Sequence, residues 1–90
     1  MAINKSASAI GTLEFNNGNK TALYIGTNRN TGATIVWQVV NGGRSTRLTG
    51  KHLPLLAGEL AHVLAIGDAK WIGDVNTAAL ECLTALAVPS

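Results

Sequence analysis

Ala33-Thr34-Ile35-Val36-Trp37-Gln38-Val39-Val40-Asn41-Gly42-Gly43-Arg44-Ser45-Thr46-Arg47-Leu48-Thr49 reads as two strands joined by a tight turn. Its β-branched and aromatic residues suit a pleated surface, and Asn-Gly-Gly supplies the positive φ that short hairpin turns require. The first run is apolar on both sides apart from Gln38, which predicts a strand in the middle of a sheet. In the second, Leu48 shares a side with Thr46 and Arg44, while Ser45, Arg47 and Thr49 share the other.

The same grammar continues upstream. Asn16-Asn17-Gly18-Asn19 and Asn28-Arg29-Asn30-Thr31-Gly32 separate further extended runs over about 9–15 and 20–27. Leu13 and Phe15 share one side of the first, opposite Thr12 and Glu14; Leu23 and Ile25 share one side of the second, opposite Tyr24 and Gly26. Evenly spaced strands with short turns predict a four-stranded antiparallel meander over about 9–49.

After Thr49 the period lengthens. Leu53, Leu56, Leu60, Val63 and Leu64 form one helical stripe, predicting an amphipathic helix over about 52–66, with Thr49 as a candidate N-cap, Pro54 in the first turn and Gly67 as the stop. Residues 68–73, including Trp71, read as a connector. Asp74 or Asn76 then caps a shorter helix over about 75–87, ended by Pro89 and apolar on several sides through Val75, Ala78, Ala79, Leu80, Cys82, Leu83 and Leu86. The expected fold class is α+β, a four-stranded antiparallel sheet followed by two helices, in a single domain spanning 1–90.

Ninety residues that are 47% hydrophobic and only 13% charged have the composition of a folding chain. A core this small leaves apolar surface over, so a homodimer or higher oligomer is expected, with Leu60, Leu64, Leu80, Leu83 and Leu86 as the interface. Cys82 is the single cysteine, which excludes an internal disulfide and multi-cysteine metal sites; among apolar neighbours it reads as a buried small hydrophobe rather than a reactive thiol. No signal peptide and no span of about 20 apolar residues is recognisable, so the expected location is the cytoplasm, of a host cell if the chain is phage-encoded.

Enzymatic material is sparse. His52 and His62 are the only histidines and neither has a cysteine or carboxylate at ligand spacing; no phosphate-cradling or nucleophile-elbow motif occurs, and the acids are scattered. A chain without catalytic activity, cofactor or metal is expected. The charge distribution says more. Within 1–52 the bases Lys5, Lys20, Arg29, Arg44, Arg47 and Lys51 face one acid, Glu14, giving +5; within 53–90 Glu59, Asp68, Asp74 and Glu81 face one base, Lys70, giving −3. The net +2 thus conceals a segregation that places the positive charge on the sheet and its turns, as a polyanionic partner requires. Tyr24 falls on the polar side of its strand, as do Arg47 and Thr49, and an aromatic ring beside bases is the usual platform for unstacked nucleobases. Trp37 is read as core.

This layout resembles the transcriptional coactivator family called positive cofactor four, with its Whirly, phage and bacterial relatives. The echo is strongest at Gly42-Gly43-Arg44-Ser45-Thr46-Arg47-Leu48-Thr49 followed by Gly50-Lys51-His52-Leu53-Pro54-Leu55-Leu56, a basic, glycine-containing turn leading through a last strand directly into a helix. The resemblance covers about 9–66. It implies a curved four-stranded sheet that binds single-stranded DNA as a dimer, with Lys20, Arg29, Arg44, Arg47 and Lys51 on phosphates and Tyr24 stacked on a base. The expected function is therefore non-catalytic binding of single-stranded DNA or RNA by a homo-oligomer that does not engage a membrane. The alternative is a protein-interaction or assembly module, such as a phage or mobile-element accessory or inhibitor protein, acting through the apolar C-terminal helix.

Overall fold

The computed structural model describes residues 7–86. The sequence readings that fall on 1–6 and 87–90, Lys5 and the Pro89 stop among them, lie outside the described residues.

The alternating runs form β1 (Ser8–Phe15), β2 (Lys20–Thr27), β3 (Thr34–Val40) and β4 (Ser45–Thr49), each antiparallel to the next. Asn41 (φ 52°) and Gly42 (φ 72°) occupy the centre of the β3–β4 turn, closed by the Gly43 N–H donating to the Val40 carbonyl at 2.9 Å. Two consecutive positive φ values give the turn a twist that matches the flanking strands, and Asn-Gly is the pair that adopts them at least cost.

Helix α1 (His52–Ala65) follows within two residues of β4. Its N-cap is Lys51, without a side-chain hydrogen bond, so Thr49 does not cap it; Thr49 is still paired in β4 opposite Ile35. At the other end Gly67 (φ 79°) donates to the Leu64 carbonyl and Asp68 to the Val63 carbonyl at 2.9 Å. This left-handed glycine cap turns the chain back toward the sheet.

That turn produces the main departure from the sequence reading. Residues 68–73 are not a simple connector: Ala69–Ile72 form β5, antiparallel to β1, and the sheet has five strands in the order β4-β3-β2-β1-β5. Ala69 and Trp71 pair with Phe15 and Leu13 on the face toward the helices, and Lys70 and Ile72 with Glu14 and Thr12 on the other. Four residues carry too short an alternation to stand out, and the strand exists only because β1 offers an unpaired edge. β2, rather than β3, is therefore the middle strand, though β3 is interior as its apolar composition requires.

β1 also carries an irregularity that alternation does not reveal. Ala9 pairs with Tyr24 and Gly11 with Leu23, leaving Ile10 as the extra residue of a bulge, and its side chain is 1% exposed in the core. The Asn76 N–H donates to the Ile10 carbonyl at 2.9 Å, so the bulge also anchors the approach to α2 (Thr77–Thr84). Asn76 caps α2 through its side-chain oxygen, which accepts from the Ala79 N–H at 3.1 Å.

Both helices pack on one face of the sheet. Leu13, Leu23, Ile25 and Val36 meet Leu53, Ala57 and Leu60 of α1 and Ala79 and Leu83 of α2. Leu60 and Leu83 are 3% and 0% exposed, so these two of the five residues expected at an oligomer interface are spent inside the chain; Leu64, Leu80 and Leu86 are half-buried against the same core. α2 is shorter than the sequence suggests and buries one stripe. Cys82 lies on its solvent side, exposed, which overturns the expectation of a buried cysteine. Alanine and cysteine made the helix look apolar all round, but such small side chains add little surface that demands cover.

Candidate nucleic-acid interface

The opposite face of the sheet carries neither helix. Its register sets Tyr24 of β2, Trp37 of β3 and Arg47 of β4 in one row across the strands, continued by Ala9 of β1. Gly26, Ile35 and Thr49 form the next row on one side, and Ala22, Val39 and Ser45 on the other. Directly opposed residues on one face stand about 4.5–5.5 Å apart at Cβ, so Tyr24 and Arg47 flank Trp37 as near neighbours.

Trp37 is 3% exposed and Ile35 4%, although they face away from the main core. Part of the explanation is on the strand beside them. Gly26 has no side chain, and the Trp37 ring lies over it: a Cβ there would meet ring carbon Cζ3 at 3.1 Å and the Ala7 Cα at 3.3 Å. Trp37 is thus buried as expected, but on the helix-free face, outside the main core cluster. Its indole N–H is buried with no hydrogen-bond partner among the described residues. At that exposure the ring is not a stacking platform, and the half-buried Tyr24, two strands from Arg47 in the same row, is the aromatic available on this face.

The sequence-identified bases are placed along the sheet rather than in one cluster. Lys20, at the start of β2, shares the helix-free face with Tyr24 and lies against the β3–β4 turn that carries Arg44: the Asn41 N–H donates to the Lys20 carbonyl at 2.7 Å, and the Lys20 N–H to Asn41 Oδ1 at 2.8 Å. Arg29, in the β2–β3 loop, and Lys51, between β4 and α1, lie at the other end of the strands. Arg47 sits between, and all five cationic side chains are exposed. Eight residues of β2 give the track a length of about 26 Å.

Turns hold the ends by side-chain bonds that the Asn-rich sequence anticipates. Asn28 Oδ1 accepts from the Asn30 N–H at 2.8 Å, shaping the loop around Arg29, and Asn41 Nδ2 donates to Asn19 Oδ1 at 3.1 Å, tying two turns together. One cation was hidden by the missed strand. Lys70, assigned by sequence to the acidic half, projects from β5 onto the helix-free face beside Glu14, at 3.9 Å. The alternation Ala69-Lys70-Trp71-Ile72 is its local trace in the sequence, too short by itself to mark a strand.

Glu14 is the acid of that face; Glu59 and Glu81 lie on α1 and α2, while Asp68 and Asp74 flank β5. Between α1 and the sheet opens a cavity of about 140 Å³, walled mainly by apolar side chains, among whose lining residues Glu59 alone is ionisable. Among the described residues no three His, Cys, Asp or Glu side chains converge on a possible metal site, and no helix is long and apolar enough to cross a membrane.

No protein-family model, curated protein or solved structure matches this chain.

Proposed function

We propose that the chain is a non-catalytic binder of single-stranded nucleic acid, DNA or RNA, that uses the helix-free face of its sheet. The observation that supports this best is the Tyr24–Trp37–Arg47 row on that face, with Lys20 on the same strand as Tyr24. Arg47 and Lys20 would neutralise phosphates beside a base stacked on Tyr24, and Arg44, Arg29 and Lys51 would extend the contact to both ends. A backbone track of about 26 Å falls within the size of sites that take a few nucleotides, and such a site reads charge and stacking rather than sequence. Buried Trp37 would serve as the floor that fixes its two neighbours. The first four strands followed by α1 also keep the layout behind the likeness to positive cofactor four; β5 and α2 lie beyond it.

The test is polarisation of labelled single- and double-stranded DNA and RNA across a salt series. Arg44→Ala combined with Arg47→Ala should weaken binding to a single strand and lower the magnitude of the log-affinity against log-salt slope by about 0.7 per lost contact. Unchanged affinity and slope in the double variant would remove this face from consideration. Absence of binding at low salt would favour the protein-interaction alternative, whose original support in α2 is reduced by the burial of Leu83.

A further inference from the structure

The solvent side of α1 has an unusual composition. Leu55 is 69% exposed and Ile66, its C-cap, 55%; together with Val40 they are the exposed large aliphatic side chains of the described residues. At about 100° per residue, Leu55, His62 and Ile66 fall within about 40° of one another on the helix, opposite the buried Leu53, Ala57 and Leu60. Glu59 flanks the same stripe, and it is the single formally charged residue of a fourteen-residue surface helix. Solvated helix faces ordinarily carry charge at these positions.

Gly58 lies on the same side. A glycine inside a helix costs about 1 kcal/mol relative to alanine, and nothing within the chain calls for it: φ is not positive, and a Cβ would have no heavy atom within 4 Å. The gap it leaves opens onto solvent.

These residues have a symmetry of their own. Leu55 and Ile66, and Glu59 and His62, are both centred between residues 60 and 61. An antiparallel copy of the same helix, related by a two-fold axis at that point, would therefore place Leu55 against Ile66 of the partner subunit and Glu59 against His62 of the partner subunit, each contact occurring twice. The bare Cα surface at Gly58 would let the two helices approach closely.

We propose that this stripe of α1 recognises a second copy of the chain, forming a two-fold dimer through antiparallel α1–α1 packing. The contact replaces the leucines expected from sequence, two of which are in the core. One helix about 21 Å long makes an interface below standard size, as weak and transient contacts do. The proposal goes beyond nucleic-acid binding and does not depend on it, since every measurement is made on the protein alone.

Sedimentation equilibrium of the full chain, from about 1 to 100 μM, tests it. The wild-type chain should pass from monomer to dimer. Gly58→Leu should raise the dissociation constant while leaving the thermal midpoint of the dilute monomer unchanged or higher, because that position is open in the single chain. Glu59→Lys should raise the constant about tenfold, since symmetry squares an effect of about threefold per contact, and the combination Glu59→Lys with His62→Glu should recover most of it. A monomer throughout the range, a dimer indifferent to Gly58→Leu, or a double variant no tighter than Glu59→Lys alone would each overturn the proposal.

Discussion

Adding one methyl group at Gly26 should loosen the face proposed to bind nucleic acid. A Cβ at this position would stand 3.1 and 3.3 Å from Cζ3 and Cη2 of Trp37 and 3.3 Å from the Ala7 Cα. Carbon atoms attract one another best at about 3.5–4.0 Å, so the ring must retreat by about 0.5 Å. At 3% exposure Trp37 has little room to do so, and the Ala7 backbone stands close on the same methyl. Overpacking of this kind costs about 1–3 kcal/mol. Gly26 has an ordinary negative-φ strand conformation, so alanine also restricts the unfolded chain, which returns about 0.4–1 kcal/mol. The net expectation is a loss of about 1–2 kcal/mol, which at a slope near 1 kcal/mol/M lowers the urea midpoint by about 1–2 M. Far-ultraviolet circular dichroism at low micromolar concentration gives that midpoint independently of any change in Trp37 emission. Gly58→Ala is the control: the same methyl in open space on a helix should stabilise by about 1 kcal/mol. If Gly26→Ala unfolds at or above the wild-type midpoint while Gly58→Ala gains as expected, the Trp37 ring does not rest on Gly26 and the tight floor between Tyr24 and Arg47 is lost as an idea.

Three further outcomes can be measured. Leu83→Ala removes a fully buried side chain where α2 meets the sheet and should destabilise by about 3–5 kcal/mol in urea unfolding, enough to unfold much of a domain this size. Tyr24→Ala should weaken single-strand binding by about 1–3 kcal/mol per stacked base in polarisation, while Tyr24→Phe keeps most of the affinity because the ring remains. Cys82, exposed on α2, should react with a thiol reagent in the native protein at close to the rate seen in denaturant, whereas a buried thiol would be protected by the folding equilibrium.

The first four strands and α1 were legible because each carries its own local signal. Alternation in β2 and β4, Asn-Gly turns and the stripe from Leu53 to Leu64 are properties of consecutive residues, and the strand limits agree within one or two positions. What escaped were features that depend on a distant partner. β5 is four residues long and is a strand only against Thr12 to Phe15. The bulge at Ile10 depends on how β1 registers with β2, and its effect is to bury a residue that strict alternation would place outside. Cys82 was misplaced for a related reason: hydrophobicity ranks side chains by type, whereas burial on a short helix is decided by which stripe meets the core, here Ala79 and Leu83.

The candidate site divides along the same line. Alternation correctly assigned Tyr24 and Arg47 to the polar side of their strands, but no local property of the chain shows that β3 sets Trp37 between them. The register does so, and it changes what the charge count means. Counted along the chain, the bases precede the acids. In three dimensions Lys20 and Arg47 share the helix-free face, and Arg44, Arg29 and Lys51 occupy the turns and loops at the strand ends, while Glu59 and Glu81 ride on the helices behind the sheet. Lys70 refines the pattern, since β5 returns a base from the acidic half to the face that lacks helices and sets it beside that face's acid. An exposed pair at 3.9 Å contributes little to stability. Its consequence is electrostatic: Glu14 stands on the helix-free face between its cross-strand partners, Lys20 on β2 and Lys70 on β5, so a polyanion approaching from Lys20 toward Arg47 meets a carboxylate flanked by two cations rather than an unopposed one.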